Sequence, residues 1–217
     1  MAWSLQSLDI RGYQNKSVPN TFIAQPQETN HLGVILPGYR YPVEMPPLYY
    51  AARTLLEGGA DVLRVEYAYY RTGFKQQPES EQNRWLMSDV LAACNAGLAH
   101  RFYDRITLAG KSIGTLAMGS LLADPRFQSA TCLWLTPLLT VERLRARIEE
   151  ACPRSLFVIG TADRFYRPEL LAQLERATGG RSLVIAGADH ALEIPGDIPK
   201  SLDALDQMVA AMGEFLV

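Results

Sequence analysis

The sequence predicts an α/β fold: a three-layer α/β/α sandwich around a mostly parallel, doubly wound sheet. Three observations lead to this prediction. Short apolar segments alternate along the chain with longer segments of helical periodicity, which is the pattern of repeated strand–helix units. Segments such as 34–36 and 157–159 are apolar at every position, as in strands that helices cover on both faces. The 217 residues contain no linker or internal repeat, so we expect one domain over residues 1–217.

The first half of the chain opens with strands and then alternates strands with helices. Strands are predicted at residues 3–10, 17–24, 31–36, 61–66 and 105–109, and the first two can pair as a hairpin. Helices are predicted at residues 46–57, 81–101 and 112–123. The glycine pair at 58–59 and Asp124-Pro125 end two of these helices. The aromatic segment 67–80 contains a glycine and a proline and is expected to be a loop.

The second half of the chain repeats the alternation. Strands are predicted at residues 130–135, 155–159 and 181–185, and helices at residues 141–151, 168–177 and 198–215. The second of these helices ends at Gly179-Gly180, and Pro199 stands in the first turn of the last one, where proline is favoured. Only one short helix separates the strands near Leu135 and Phe157, so we expect no large insertion between them.

Composition and charge argue against several classes of protein. Lys and Arg total 21 and Asp and Glu total 23, which gives a net charge of −2, whereas nucleic-acid-binding proteins usually carry a basic surface. We find no signal-peptide pattern and no apolar segment long enough to span a bilayer. The cysteines Cys94, Cys132 and Cys152 lack paired or metal-binding spacing. We therefore expect a reduced cytoplasmic protein with no nucleic-acid or membrane partner, no metal and no cofactor.

A serine motif follows one of the predicted strands. Gly110-Lys-Ser-Ile-Gly114 has the form G-x-S-x-G and lies between a predicted strand and a predicted helix, which is the context of a nucleophile elbow. Such a turn lifts the hydroxyl of Ser112 above the sheet and needs glycine where the backbone is crowded. The alternative is that Ser112 only caps the helix, but a cap would not account for the flanking glycines.

Two further predicted strands end in residues of matching chemistry. Asp163 and His190 each come a few residues after one of them. A serine hydroxyl needs a base to take its proton, an imidazole can act as that base near neutral pH, and a buried carboxylate can orient the imidazole. Because ligands of open parallel sheets bind at the carboxyl ends of the strands, Ser112, Asp163 and His190 are expected to meet there.

Other acidic and imidazole groups are weaker choices for these roles. Asp189 is the rival acid, but a neighbour on the same turn rarely reaches the far ring nitrogen of His190, so we expect it to structure the loop. Asp163 has the alternative of being a turn residue. His31 begins an apolar strand and His100 follows a helix, which favours structural or solvated positions.

The segments that carry this chemistry resemble the α/β-hydrolase superfamily. The resemblance rests on Leu36-Pro-Gly-Tyr39, Gly110-Lys-Ser-Ile-Gly114, Gly160-Thr-Ala-Asp163 and Gly187-Ala-Asp-His190. Within the superfamily, the chain looks most like compact members related to dienelactone hydrolase and short-chain carboxylesterases. The resemblance implies Ser112 as nucleophile, His190 as general base and acid, and Asp163 as the orienting acid. It also implies the α/β-hydrolase fold, in this chain without a large lid domain.

The resemblance further implies an oxyanion hole made of two backbone N–H groups. One is expected from Ile113, the residue after the nucleophile, and the other from Tyr39, in the loop after the strand at 31–36. The chain has Pro37-Gly38 where many members of the superfamily have a His-Gly pair. The alternative for Pro37-Gly38 is an ordinary turn.

Aromatic and arginine residues near this loop are expected to form the substrate pocket. Tyr39, Arg40, Tyr70 and Arg71 are the predicted substrate-binding residues, because aromatic walls suit an acyl or ring group and arginine binds carboxylates. The alternative is that the tyrosines only pack under a loop with their hydroxyls in water.

Together these patterns predict a serine hydrolase that cleaves a carboxylic ester or thioester of a small acyl substrate through an acyl-enzyme. Acyl transfer or peptide hydrolysis by the same Ser-His-Asp triad is an alternative. A non-catalytic binding or interaction protein on the same scaffold is another, because a fold alone does not establish a function. The sequence leaves open a homodimer formed through the edge of the N-terminal strands.

Overall fold

An eight-stranded sheet organises the chain in the computed structural model, which describes residues 3–67 and 69–216. The strands are β1 (Ser4–Gln6), β2 (Asn20–Ala24), β3 (His31–Leu36), β4 (Asp61–Val65), β5 (Arg105–Lys111), β6 (Thr131–Leu135), β7 (Ser155–Gly160) and β8 (Arg181–Ile185). The α-helices are α1 (Pro46–Glu57), α2 (Glu79–Leu98), α3 (Ile113–Leu121), α4 (Glu142–Ala151), α5 (Pro168–Thr178) and α6 (Ile198–Leu216). The strands lie in the order β1-β2-β4-β3-β5-β6-β7-β8.

The sheet is mostly parallel and is covered on both faces. Every neighbouring pair from β4 to β8 is parallel, whereas β2 is antiparallel to both β1 and β4. Apolar side chains of α1 and α6 pack on one face, and those of α2, α3, α4 and α5 pack on the other. The predicted three-layer α/β/α sandwich is therefore confirmed. Its apolar strands are buried on both faces because helices lie above and below them.

The N-terminal strands pair as a hairpin, but both are shorter than the segments 3–10 and 17–24 predicted from the sequence. The side chain of Asn20 explains part of the difference. Its amide oxygen accepts a hydrogen bond from the Leu8 N–H at 3.0 Å, and its amide nitrogen donates to the Leu8 carbonyl at 2.9 Å. The Asn20 side chain thus satisfies both backbone groups of Leu8, and β1 ends before this residue.

The segment 67–80, predicted to be a loop, contributes to the core. It contains short 3-10 turns at Tyr69–Arg71 and Phe74–Gln76, and α2 already starts within it, at Glu79. The Tyr69 ring stacks between Tyr67 and Phe74 with centroid distances of 4.3 Å to each. Its hydroxyl donates to the Asp89 carboxylate at 2.9 Å. These contacts are long-range, so local turn chemistry did not predict them.

The strand register gathers the chemistry-bearing turns at one edge of the sheet. Leu36 pairs with Gly110, and Lys111 pairs with Leu135, so the turns after β3, β5 and β6 lie side by side. β7 and β8 end beside them. Residues 136–154 join β6 to β7 with α4 as their helix and no further domain, which leaves this edge without a large lid. Within the described part of the chain, no helix is both long enough and apolar enough to cross a bilayer.

Candidate active site

Ser112 stands at a strained turn between β5 and α3. Its backbone angles are φ 53° and ψ −115°, a region that residues with a side chain rarely occupy and that is costly to maintain. The turn is held from two sides, because the Ser112 N–H donates to the Leu135 carbonyl at 3.2 Å and the Thr115 hydroxyl donates to the Ser112 carbonyl at 2.6 Å. The side chain makes no capping hydrogen bond to α3. Ser112 thus occupies the N-cap position of α3 without capping it through its side chain, and the helix predicted at 112–123 is observed as Ile113–Leu121.

The two glycines of the motif are required by close contacts. A Cβ on Gly114 would lie 2.3 Å from the Leu36 carbonyl oxygen, and a Cβ on Gly110 would lie 2.4 Å from the Met118 sulfur. Both distances are far below van der Waals contact. Glycine at these positions lets α3 approach β3 and β5, and this approach sets the sharp turn at Ser112.

The structure brings Ser112, His190 and Asp163 into one hydrogen-bonded chain. The Ser112 Oγ lies 3.0 Å from the His190 Nε2, and the His190 Nδ1 lies 2.7 Å from the Asp163 Oδ2. With the proton on Nδ1, the imidazole donates to the carboxylate and accepts from the serine hydroxyl. The imidazole is 30% exposed and the carboxylate is fully buried. The imidazole is thus accessible to a substrate, and the carboxylate is shielded from water.

The two carboxylates near His190 make different contacts. The Asp163 Oδ1 accepts a hydrogen bond from the Phe165 N–H at 2.9 Å, which fixes the plane of the carboxylate that faces the imidazole. The Asp189 Oδ1 accepts from the Ala191 N–H at 2.7 Å. Asp189 therefore structures the turn, and Asp163 is the acid that contacts the ring.

The other histidines lie away from this chain of bonds. The His31 Nε2 is 2.9 Å from the Thr107 hydroxyl, and burial lowers the pKa of His31 to about 4, with the nearby Arg105 charge acting in the same direction. The His100 ring packs on Phe22 at a centroid distance of 4.4 Å. His31 is buried and His100 is exposed, in line with the structural or solvated positions expected from the sequence.

The predicted oxyanion donors flank the serine. Ile113 is the first residue of α3, so its N–H has no intrahelical acceptor. The turn after β3 closes by a bridge between Gly38 and Tyr41 and carries Tyr39 and Arg40 at its tip. A Cβ on Gly38 would lie 3.4 Å from the Ser112 Cβ, so this turn packs directly against the serine. The donor roles of Ile113 and Tyr39 stay predictions.

A family match accompanies this geometry. Residues 42–217 match the family described as alpha/beta hydrolase domain. The chain belongs to this alpha/beta hydrolase family. The matched region includes the whole Ser112–His190–Asp163 chain, whereas the turn that carries Tyr39 precedes it. No curated protein sequence matches this member of the family.

Solved structures share the fold of this family member at low sequence identity. A Pyrococcus furiosus esterase, Pf2001, has a TM-score of 0.74 and 13% identity, covering 99% of this chain and 92% of that chain. An alpha-beta serine hydrolase homologue from Coxiella burnetii has a TM-score of 0.71 and 17% identity, covering 100% and 99%. XC6422 from Xanthomonas campestris, an α/β serine hydrolase without a lid, has a TM-score of 0.67 and 16% identity, covering 100% and 94%.

The predicted substrate-binding residues do not form one wall. Arg40 and Tyr70 line a cleft of about 170 Å³ beside the turn after β3. The Arg71 guanidinium stacks over the Tyr70 ring at 5.1 Å. Tyr39 stands elsewhere, with its ring 6.5 Å from Phe74 and the Lys75 ammonium 5.3 Å above it. Tyr39 and Arg40 belong to the turn, Tyr70 and Arg71 lie outside it, and the contact of all four with a substrate stays a prediction.

Tyr67 and Phe165 support the site through contacts that the sequence did not predict. The Tyr67 hydroxyl donates to the Pro37 carbonyl at 2.8 Å and so stabilises the turn after β3. The Phe165 ring packs on the His190 imidazole at a centroid distance of 5.2 Å. No local pattern marks either residue, because each acts through a partner distant in sequence. Among the described residues, no three His, Cys, Asp or Glu side chains gather as metal ligands.

Lys111 is a third such residue, and it is nearly completely buried, with 1% of its surface exposed. Its ammonium donates to the Thr136 hydroxyl at 2.7 Å and to the His190 carbonyl. Burial lowers the pKa of Lys111 to about 7, although the carboxylates of Asp163, Asp189 and Glu193 oppose this effect.

The shifted pKa of Lys111 makes the stability of the fold depend on pH. Between about pH 7 and the ordinary lysine value of 10.5, the unfolded chain holds a proton that the folded chain has released. Raising the pH across this range therefore favours folding, whereas below pH 7 both states are protonated and the penalty is constant. We expect the Tm of the wild type to rise relative to that of Lys111→Met as the pH increases. Parallel Tm profiles for the two proteins would contradict the shift.

Proposed function

We propose that this chain is a serine hydrolase that cleaves carboxylic esters or thioesters of small molecules through an acyl-enzyme. One observation carries the proposal: the Ser112 hydroxyl lies 3.0 Å from the His190 Nε2, whose ring is bonded to a buried Asp163 carboxylate. A base within hydrogen-bond reach activates the serine, and a carboxylate holds the base in the correct tautomer.

In the acylation half of the reaction, the Ser112 Oγ attacks the carbonyl carbon of the substrate while its proton moves to the His190 Nε2. Asp163 stabilises the imidazolium that forms. The N–H groups of Ile113 and Tyr39 donate to the oxygen that becomes negatively charged. When the tetrahedral intermediate collapses, the imidazolium returns its proton to the departing alcohol or thiol. The acyl group stays on Ser112 as an ester.

In the deacylation half, a water molecule takes the place of the leaving group. His190 accepts one proton of the water as its oxygen attacks the acyl carbonyl. The same N–H groups stabilise the second tetrahedral intermediate. His190 then gives the proton to the Ser112 Oγ, the carbon–serine bond breaks, and a carboxylic acid leaves. The enzyme returns to its starting state, and the net reaction consumes one water.

The residues in and near the turn after β3 extend the proposal to substrate binding. Arg40 and Arg71 are exposed, and neither forms an ion pair with another described residue. Each guanidinium is thus free to bind a carboxylate of the substrate. Tyr39 and Tyr70 offer aromatic surface to the acyl or leaving group. The cytoplasmic location expected from the sequence is also part of the proposal.

The names of similar proteins favour this function over its alternatives. The Pyrococcus furiosus protein is called an esterase, and the Coxiella burnetii protein is called a serine hydrolase homologue. A binding protein on this scaffold would have no need of a serine, an imidazole and a carboxylate in hydrogen-bond contact. Acyl transfer and peptide hydrolysis use the same triad, so the acceptor and the leaving group distinguish them.

Labelling with a fluorophosphonate probe tests the proposal, because the probe reacts with activated serines. We expect the folded protein to be labelled at Ser112, as located by peptide mass spectrometry, and to hydrolyse p-nitrophenyl acetate. A panel of esters, thioesters and anilides with different acyl lengths, with and without an added carboxylate, then defines the substrate class. A folded protein that stays unlabelled under conditions that label a reference esterase would exclude the proposal.

A further inference from the structure

The amine of Lys111 lies where a parallel strand normally buries an apolar side chain. It is the last residue of β5 and immediately precedes Ser112. Its side chain makes no ion pair with the described residues, although it is among their largest fully buried side chains. Burying a charged amine costs several kcal/mol unless other groups compensate.

The contacts of Lys111 point to the turn that carries His190. The ammonium donates to the carbonyl oxygen of His190 itself and to the Thr136 hydroxyl, which lies 2.7 Å away. It also lies 4.4 Å from the centroid of the Tyr41 ring. The Tyr41 hydroxyl donates to the Ala191 carbonyl at 3.2 Å. Two consecutive carbonyls of the histidine turn are therefore held by one connected pair of side chains.

The backbone of Lys111 directly precedes that of the nucleophile, Ser112. Lys111 pairs with Leu135 in the sheet, and the Ser112 N–H donates to the Leu135 carbonyl at 3.2 Å. The residue thus connects the rigid end of β5 to the peptide of His190. The turn that carries His190 lies between the end of β8 at Ile185 and the start of α6 at Ile198.

We propose that Lys111 is a positioning residue, which holds the His190 backbone so that the imidazole meets Ser112 and Asp163 at the same time. This inference rests on the proposed function, since it assigns Lys111 a part in the same site. Both ring nitrogens of His190 must keep their partners, at 3.0 Å and 2.7 Å. A small displacement of the turn breaks one of these bonds. Lys111 acts through the carbonyl of His190 and has no contact with a substrate.

Lys111→Met tests the proposal, because methionine keeps the apolar stem and removes the donors. We expect kcat for p-nitrophenyl acetate to fall by about 10- to 100-fold, the range that small misplacements of catalytic groups produce. KM should stay within about 3-fold, since substrate contacts are unchanged. Lys111→Gln keeps one N–H donor on a shorter chain and should retain more activity than Lys111→Met. If the methionine variant does not fold, the glutamine variant carries the test, with a smaller fall in kcat and an unchanged KM.

Two matched controls separate positioning from general effects. Leu55→Ala removes a buried side chain of α1 that packs against Gly33 of β3, away from the site, and should lower the Tm while leaving kcat per folded molecule unchanged. Lys200→Met removes an exposed ammonium that pairs with Asp197 and should change neither quantity. An equal loss of kcat in Leu55→Ala would overturn the proposal.

A spectroscopic readout makes the test independent of turnover. The Nδ1 proton of His190, shared with Asp163, should give a proton NMR resonance at unusually low field in the wild type. We expect this resonance to weaken or vanish in Lys111→Met and to persist in Leu55→Ala. Wild-type kcat together with an intact resonance in Lys111→Met would overturn the inference and leave the proposed function standing. A wild type without turnover or probe labelling, whose resonance depends on Lys111, would exclude the function and support the positioning role.

Discussion

Ser112→Ala is expected to lower kcat for p-nitrophenyl acetate by a factor on the order of 10⁴ to 10⁶, because the substitution removes the nucleophile and leaves only binding and the oxyanion donors. The fold should persist. Alanine carries the same Cβ through the positive φ of the turn, and the Ser112 hydroxyl bonds only to His190 within the described chain. Initial-rate kinetics and thermal unfolding followed by circular dichroism measure the two effects.

A serine on α3, the helix that follows Ser112, provides the control for this variant. Ser120 is exposed, and its hydroxyl donates to the Leu116 carbonyl at 3.0 Å. Ser120→Ala should keep the kcat and the Tm of the wild type. If Ser112→Ala retained full turnover and probe labelling, another residue would be the nucleophile and the proposed mechanism would be wrong.

Asp163→Asn is expected to lower kcat by a factor on the order of 10³ to 10⁴ with little change in the position of the side chain. An asparagine amide that turns its NH₂ toward His190 can donate to Nδ1 and so favours the tautomer with the proton on Nε2. That imidazole cannot accept the proton of the Ser112 hydroxyl. The amide oxygen of the asparagine can still accept from the Phe165 N–H, so the turn should keep its shape.

The parallel variant of the rival acid sharpens this test. The Asp189 Oδ1 accepts the Ala191 N–H at 2.7 Å, and an asparagine oxygen can accept the same bond. Asp189→Asn should therefore lose less than about 10-fold in kcat, because it keeps the turn and leaves the imidazole tautomer unchanged. Kinetics of both variants over a range of pH compare the two acids. A larger loss in Asp189→Asn than in Asp163→Asn would reverse their assignment.

Local patterns predicted the features that depend on periodicity. The apolar segments became parallel strands, and the intervening helices began and ended close to the predicted positions. Ser112, Asp163 and His190 could be placed together because the carboxyl ends of parallel strands share one edge of a sheet. The glycines of the motif were also readable, since a crowded strand-to-helix turn excludes side chains.

Features that depend on distant partners were not predictable in this way. Lys111 reads as an ordinary variable position of the serine motif, and only the fold reveals its contacts with Thr136 and His190. The stacking of Tyr67, Tyr69 and Phe74 likewise depends on α2, which covers the segment. A loop prediction from glycine and proline content describes the backbone locally and is silent about such packing.

The short connection of residues 136–154 between β6 and β7 has a consequence for how reaction intermediates are partitioned. With only α4 and its flanking turns there, and with the imidazole of His190 partly exposed, bulk solvent reaches the serine without a loop having to open. For the proposed acyl-enzyme, water at its full concentration then competes with any dilute alcohol or amine for the acyl group. We therefore expect such an intermediate to release free acid in preference to a transferred acyl product.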